Sequence, residues 1–140
     1  MYRVAVRRKV TAFHHLFGGD WGKENEHHSH DYLVEVVCEG KTLDQHGYLF
    51  DISVLERAMD EGLERFRGRS LNEQPGFEGK KPSVERFDAV LAERFAPALR
   101  SQHLEAFTVV VWEHEQAWAS HRFALAPSLP LPATTGRGSG

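Results

Sequence analysis

The sequence predicts an α+β domain built on an antiparallel sheet. Three observations predict it. Two long segments near the N-terminus alternate apolar and polar residues. Two segments in the middle repeat apolar residues at three- and four-residue steps. Two further extended segments near the C-terminus are separated by a short polar turn. The order strand, strand, helix, helix, strand, strand lacks the strand–helix alternation that builds parallel sheets.

The first strand covers residues 2 to 14. Tyr2, Val4, Val6, Val10, Ala12 and His14 share one parity, while Arg3, Arg7, Lys9 and Thr11 share the other. That is the pattern of a strand with one buried face. Arg8 interrupts the apolar row and reads as a bulge or an exposed strand end. After the polar loop "GGDWGKENEH", alternation resumes over residues 28 to 39. His28, His30, Tyr32, Val34, Val36 and Cys38 lie on one face, and Asp31, Glu35 and Glu39 on the other. The loop "EGKTLDQHG" leads to a short extended piece, "YLFD".

The period then changes. Ile52, Leu55, Met59, Leu63 and Phe66 share one helical face. Ser53 and Glu56 read as the capping box of this helix, with Asp51 as a turn or cap residue. The polar loop "RGRSLNEQPGFEGKKP" follows. A second helix starts at Pro82-Ser83 and presents Phe87, Val90, Leu91, Arg94 and Phe95; Pro97 is expected to end or kink it. Residues 105 to 113 and 117 to 125 read as a hairpin. The sequence divides into one domain, 1–126, and a tail, 127–140, whose Pro/Gly/Ser/Thr composition predicts disorder.

Composition narrows the function. With 140 residues, 41% hydrophobic and 26% charged, the chain has the makings of a globular protein with a substantial core. A formal charge of −3 provides no broad basic field for nucleic acid. One cysteine, Cys38, allows no intrachain disulfide and no thiolate zinc site. No long apolar run suggests a leader or a membrane span, so a cytoplasmic protein is expected.

The unusual feature is nine histidines, five of them between positions 14 and 30. Strand residues two apart point the same way, so His28 and His30 project together, roughly 6–7 Å apart along the strand. Antiparallel pairing of the first two strands would bring His14 beside them. Three neutral imidazoles with an open fourth position make a catalytic zinc site. His15 and His27 have the opposite parity. His46, His103, His114 and His121 are scattered and read as surface.

In order, "VTAFHHL", "HSHDYLVEV", "GYLFDISVLERAM", "SLNE", "KPSVERF" and "VVVWE" resemble the 6-pyruvoyltetrahydropterin synthase and 6-carboxytetrahydropterin synthase family. The resemblance covers residues 2 to about 124. It implies the tunnelling fold (T-fold), a four-stranded antiparallel sheet with two helices on one face. It implies zinc on His14, His28 and His30, and Glu113 holding a pterin ring. It also implies a homo-oligomer, a hexamer of two trimers with active sites between subunits. A carboxylate facing an N–C–N edge accepts two hydrogen bonds, which both orients and selects the ring.

Two departures from the family pattern stand out. The place of the family's catalytic cysteine, four residues before the His-x-His pair, is occupied by Glu24. The places of its Asp-His pair are occupied by Arg67 and Gly68. A carboxylate serves as base where burial raises its pKa, so Glu24 is the candidate base, with Glu26 in the same loop as a weaker one. Lys23, Arg67 and Arg69 are candidate cations for a triphosphate. Three functions follow: a zinc-dependent lyase or synthase acting on the side chain of 7,8-dihydroneopterin triphosphate, of the 6-carboxytetrahydropterin type that feeds queuosine formation; a Glu-for-Cys, aldolase-like enzyme making 6-hydroxymethyl-7,8-dihydropterin; or an altered zinc-containing protein that binds a pterin or purine.

Overall fold

A computed structural model describes residues 1–125. The segment 127–140, with the last residue of the expected domain, Ala126, lies outside the described residues. Four strands, β1 (Tyr2–His14), β2 (His28–Gly40), β3 (Ala106–His114) and β4 (Ala117–Ala124), form one antiparallel sheet in the order β1-β2-β3-β4. Two helices, α1 (Ile52–Glu64) and α2 (Val84–Arg100), are inserted between β2 and β3. They cover the sheet face that carries Val6, Val10, Val34, Val36, Val109 and Val111. This is the T-fold expected above. No helix among the described residues is long and apolar enough to cross a membrane.

Period explains the layering. Residues two apart on β2, from Tyr32 to Cys38, are all buried beneath the helices. Leu55, Met59 and Leu63 from α1 meet Phe87, Leu91, Phe95 and Leu99 from α2 in the same core. Each such side chain stabilises the fold by about 1.5–3 kcal/mol on full burial. The helices approach closely at Gly62, where an added Cβ would fall 2.8 Å from Phe95 Cε1.

Several local expectations are corrected. Arg8 marks neither a bulge nor an end, because the β1–β2 register is continuous from Tyr2↔Gly40 to His14↔His28. Its guanidinium instead reaches α1, donating from Nε to Asp60 Oδ1 at 2.8 Å and from Nη2 to Glu56 Oε2 at 3.4 Å. The α1 N-cap is Asp51, whose carboxylate accepts from Ser53 N–H, so Ser53 is not the cap. α2 continues through Pro97 to Arg100. Pro97 and Glu93 both face solvent, so water can meet the carbonyl that the missing N–H leaves free. "YLFD" forms bends rather than strand, anchored by Asp44, whose carboxylate accepts from His46 and Tyr48 N–H.

One core residue conflicts with its surroundings. Asp88 on α2 is 1% exposed and neither carboxyl oxygen has a partner. Burial pushes its pKa up to about 7, against about 3.9 in an unfolded chain. The folded state therefore holds the proton more tightly than the unfolded state. The resulting stability is intact below pH ~4 and is lost as pH rises through about 7, by up to ~4 kcal/mol. Asp88→Asn should remove this dependence, so that its stability relative to the parent climbs from about pH 4 to about pH 7 and levels off above that in urea titrations. A difference that does not change with pH would show that Asp88 has no raised pKa.

Candidate metal centre and its cavity

The register places His14 directly opposite His28, and Ala12 opposite His30, at one end of the β1–β2 pair. The three rings project to the helix-covered face. Their Nε2 atoms converge, with 2.9 Å between His14 and His28 and 3.1 Å between His28 and His30.

Hydrogen bonds fix the tautomers of two rings. His14 Nδ1 lies 3.0 Å from the carbonyl of Pro82, and His28 Nδ1 lies 2.7 Å from the carbonyl of Glu26. A carbonyl only accepts, so each Nδ1 carries the proton and donates. Each Nε2 then presents a lone pair to the other. Two lone pairs at 2.9 Å repel unless a cation or a proton lies between them. Burial, then the neighbouring His28 and His30 rings, pulls the His14 pKa down to about 4, so this ring is neutral at pH 7. The Tyr32 hydroxyl lies 3.1 Å from His14 Nδ1 and completes the buried wall. Burial, then the carboxylates of Glu113 and Glu24, holds that phenol well above its usual pKa.

Two carboxylates turn to the same point. Glu24 Oε1 lies 3.3 Å from His28 Nε2 and 3.7 Å from His14 Nε2. Glu113 Oε1 lies 3.0 Å from His30 Nε2 and 3.8 Å from His14 Nε2. Imidazole nitrogens and carboxylates around one focus form a donor set for a divalent cation. One ligand atom each from His14, Glu24, His28 and His30 lies within 4.8 Å of the others. A tetrahedral ion with nitrogens at about 2.0–2.1 Å spaces them about 3.3 Å apart, close to the observed separations. The residues therefore fit a metal.

Each carboxylate has its own support. Glu24 lies in a 3-10 turn, Gly22–Asn25. Asn25 stitches this loop together: its amide nitrogen donates to the carbonyls of Leu16 and Gly19, and its oxygen accepts from Trp21 N–H. Leu16 N–H donates to the Glu24 carbonyl at 2.7 Å. Glu113 falls where the β3–β4 register shifts, between Trp112↔Trp118 and His114↔Ala117. Such bulges re-aim a side chain.

Not every expected residue joins the cluster. The Glu26 side chain is exposed and stays out of it; only its backbone carbonyl takes part, orienting His28. The Glu24 side chain is 44% exposed, so the burial expected of a carboxylate base is not found within the single chain. His27 stacks on Phe13, with ring centres 5.2 Å apart, away from the cluster. Cys38 is fully buried, and burial pushes its thiol up to about 12. Sequence reasoning missed Asn25 and the Pro82 carbonyl. Tyr32 could have been found, since it shares the parity of His28 and His30.

Two members of the cluster, His30 and Glu113, also line a cavity of about 870 Å³, whose other walls include Trp112, Lys9 and Arg67. Trp112 offers an aromatic surface beside Glu113. His114, read as plain surface, also lines this cavity.

The sequence profile of the 6-pyruvoyl tetrahydropterin synthase family matches residues 3–123. No curated protein matches the sequence. Among solved structures, 6-pyruvoyl tetrahydropterin synthase of Caenorhabditis elegans is similar, with 21% identity and a TM-score of 0.73 over 89% of this chain and 98% of that one. The Plasmodium falciparum enzyme has 16% identity and a TM-score of 0.71 over the same shares of the two chains, 89% and 98%. A variant of the Plasmodium vivax enzyme, with a catalytic glutamate changed to alanine, has 16% identity and a TM-score of 0.69, again over 89% and 98%.

Proposed function

The chain belongs to the 6-pyruvoyl tetrahydropterin synthase family, and from that premise we propose that it is a zinc-dependent lyase or synthase acting on the side chain of 7,8-dihydroneopterin triphosphate. One observation carries the reading: three histidine Nε2 atoms with two carboxylates aimed at the same point. His14, His28 and His30 would hold the ion. When bound, zinc supplies Lewis-acid polarisation of a substrate oxygen.

The chain's own residues would do the rest. Glu113 would accept two hydrogen bonds from the N–C–N edge of the pterin, fixing the ring in the cavity. Pro82, Glu26 and Tyr32 would keep the imidazoles oriented. Glu24 would move the proton. It is 3.3 Å from His28 Nε2, and the related Plasmodium vivax enzyme also has a catalytic glutamate.

Glu24 also favours a second reading, the aldolase-like one. There the carboxylate takes a side-chain hydroxyl proton, the adjacent carbon–carbon bond breaks, and the electron pair moves into the pterin ring. The same carboxyl then returns the proton to carbon, leaving a 6-hydroxymethyl group and releasing an aldehyde. The step needs no external oxidant or reductant. We propose further that the protein works as a homo-oligomer, a hexamer of two trimers. Among the described residues β4 pairs only with β3, and the exposed Glu24 would be covered by a neighbouring subunit.

Product analysis tests these readings. Zinc-loaded protein is given 7,8-dihydroneopterin triphosphate and the dephosphorylated form separately, with chelated protein as control. A new pterin is expected only with metal present, and its mass distinguishes 6-carboxy, 6-pyruvoyl and 6-hydroxymethyl products. No turnover of either compound by metal-loaded protein would remove both enzyme readings. It would leave a zinc-containing protein that binds a pterin or purine.

A further inference from the structure

The loop that carries Glu24 is stitched together from within. Asn25 bonds the carbonyls of Leu16 and Gly19 and the N–H of Trp21, and Leu16 N–H donates to the Glu24 carbonyl at 2.7 Å. Among the described residues, the hydrogen bonds of residues 16–25 all close within residues 16–26. These bonds fix the shape of the loop. Its place beside the histidines depends on other contacts.

Lys81 supplies one. Its ammonium lies 5.1 Å from the ring centre of Trp21 and 5.9 Å from that of Phe17. Both fall within the ~6 Å over which a cation is drawn to an aromatic face, and tryptophan is the best partner. Between the two rings the chain turns at Gly18, at φ +79°, where an added Cβ would lie 3.7 Å from the same ammonium. Gly19 makes room for the Trp21 ring, since an added Cβ there would fall 2.9 Å from Trp21 Cη2. The one lysine in an ion pair among the described residues is Lys41. Lys81 is met by rings instead of a carboxylate.

The backbone of Lys81 is fixed from the other side. Its neighbour Pro82 is buried, and the Pro82 carbonyl accepts from His14 Nδ1 at 3.0 Å. Ser83 then caps α2, its hydroxyl accepting from Arg86 N–H at 3.1 Å. A proline of fixed φ between that ring contact and a helix cap leaves the segment little freedom. Lys81 therefore joins two parts of the candidate metal centre. Its backbone adjoins the carbonyl that orients His14, and its side chain holds the loop that presents Glu24. We infer that Lys81 is a positioning residue, whose contact with Trp21 and Phe17 holds this loop against the start of α2 and keeps Glu24 at 3.3 Å from His28 Nε2. The inference rests on the reading above for what Glu24 does, but not for how the loop is held.

The test compares the metal-loaded parent with three variants. Lys81→Gln removes the charge, Lys81→Arg keeps a cation for the rings, and Lys80→Gln is a control that removes the neighbouring charge. Hydrogen exchange over residues 15–26, read by mass spectrometry, reports opening of the loop. One exposed cation–aromatic contact shifts such an equilibrium about two- to fivefold, so exchange should be at least about threefold faster in Lys81→Gln. Lys81→Arg and Lys80→Gln should match the parent. Gly19→Ala, which displaces the Trp21 ring and leaves Lys81 in place, should reproduce the faster exchange. Parent-like exchange in Lys81→Gln would overturn the inference whatever the activity. With 7,8-dihydroneopterin triphosphate or its dephosphorylated form, kcat should fall by about threefold or more in Lys81→Gln, with KM within about twofold, and recover in Lys81→Arg. A rise in KM alone would make Lys81 a substrate contact, and an unchanged kcat would make it structural; either overturns the positioning role. If the parent turns over neither pterin, the reading above falls, and the exchange comparison alone decides whether Lys81 holds the loop.

Discussion

His28→Ala is expected to lose its metal, retaining no more than about a tenth of the parent's content after dialysis, and to lose turnover with it. Losing only an outer hydrogen-bond partner of a ligand typically costs 10–100-fold in metal affinity, and losing a ligand itself costs more. His28 is the informative position. His14 is 2% exposed and packed against Tyr32 and Pro82, so removing it also opens a cavity in the fold. His28 stands at the mouth of β2, with its side chain 24% exposed, and can be truncated with less structural damage. Elemental analysis supplies the first readout. Thermal unfolding supplies the second, because an ion that binds only the folded state stabilises it by about 2.7 kcal/mol at 100 times Kd and so raises Tm with its concentration. The parent should respond to added zinc and the variant should not. Apart from Tyr32, which touches His14, the core of α1 and α2 against the sheet is built without contact to the ligand nitrogens, so chelation should leave the parent folded. Undiminished metal in His28→Ala would rule out the three-histidine site. Unfolding on chelation would make the ion structural.

What the sequence revealed, and what it hid, follows from the range of the interactions. Both strand starts and the juxtaposition of His14 with His28 and His30 were readable, because alternation is local and antiparallel pairing of neighbouring strands leaves little choice of partner. The two helices were readable from their period. Features set by distant partners were not. Arg8 breaks the apolar pattern of β1, and only α1, 48 and 52 residues further on, explains it. Pro97 is a breaker by rule, yet the exposed face on which it sits removes most of the penalty. Ser53 and Asp51 are both sound caps by composition, and the backbone geometry decides between them. The Pro82 carbonyl that fixes His14 is 68 residues away, and a backbone acceptor leaves no trace in side-chain pattern. The bulge at Glu113 also has no glycine to announce it.

Glu24→Gln is expected to lower product formation by about 10²–10⁴-fold with zinc in excess, so that the metal site is filled in both proteins. The substitution keeps the length and one acceptor oxygen and removes the ability to take a proton. Position supports a proton-transfer role. The turn that carries Glu24 is closed by Asn25 and by the Leu16 N–H bond to the Glu24 carbonyl, so the carboxylate is presented at a fixed place. At 3.3 Å from His28 Nε2 it lies on the rim of the ligand cluster, and its exposed side can meet substrate. The same distance allows another role, as the fourth ligand of the ion. The two roles separate in a single titration. A ligand lost in Glu24→Gln lowers metal affinity, so turnover recovers as zinc is added. A lost base leaves the metal in place and the rate low at every zinc concentration. Recovery to the parent's rate would reassign Glu24 to the metal, and the proton would then have to be moved by another group, with Glu113 the nearest carboxylate.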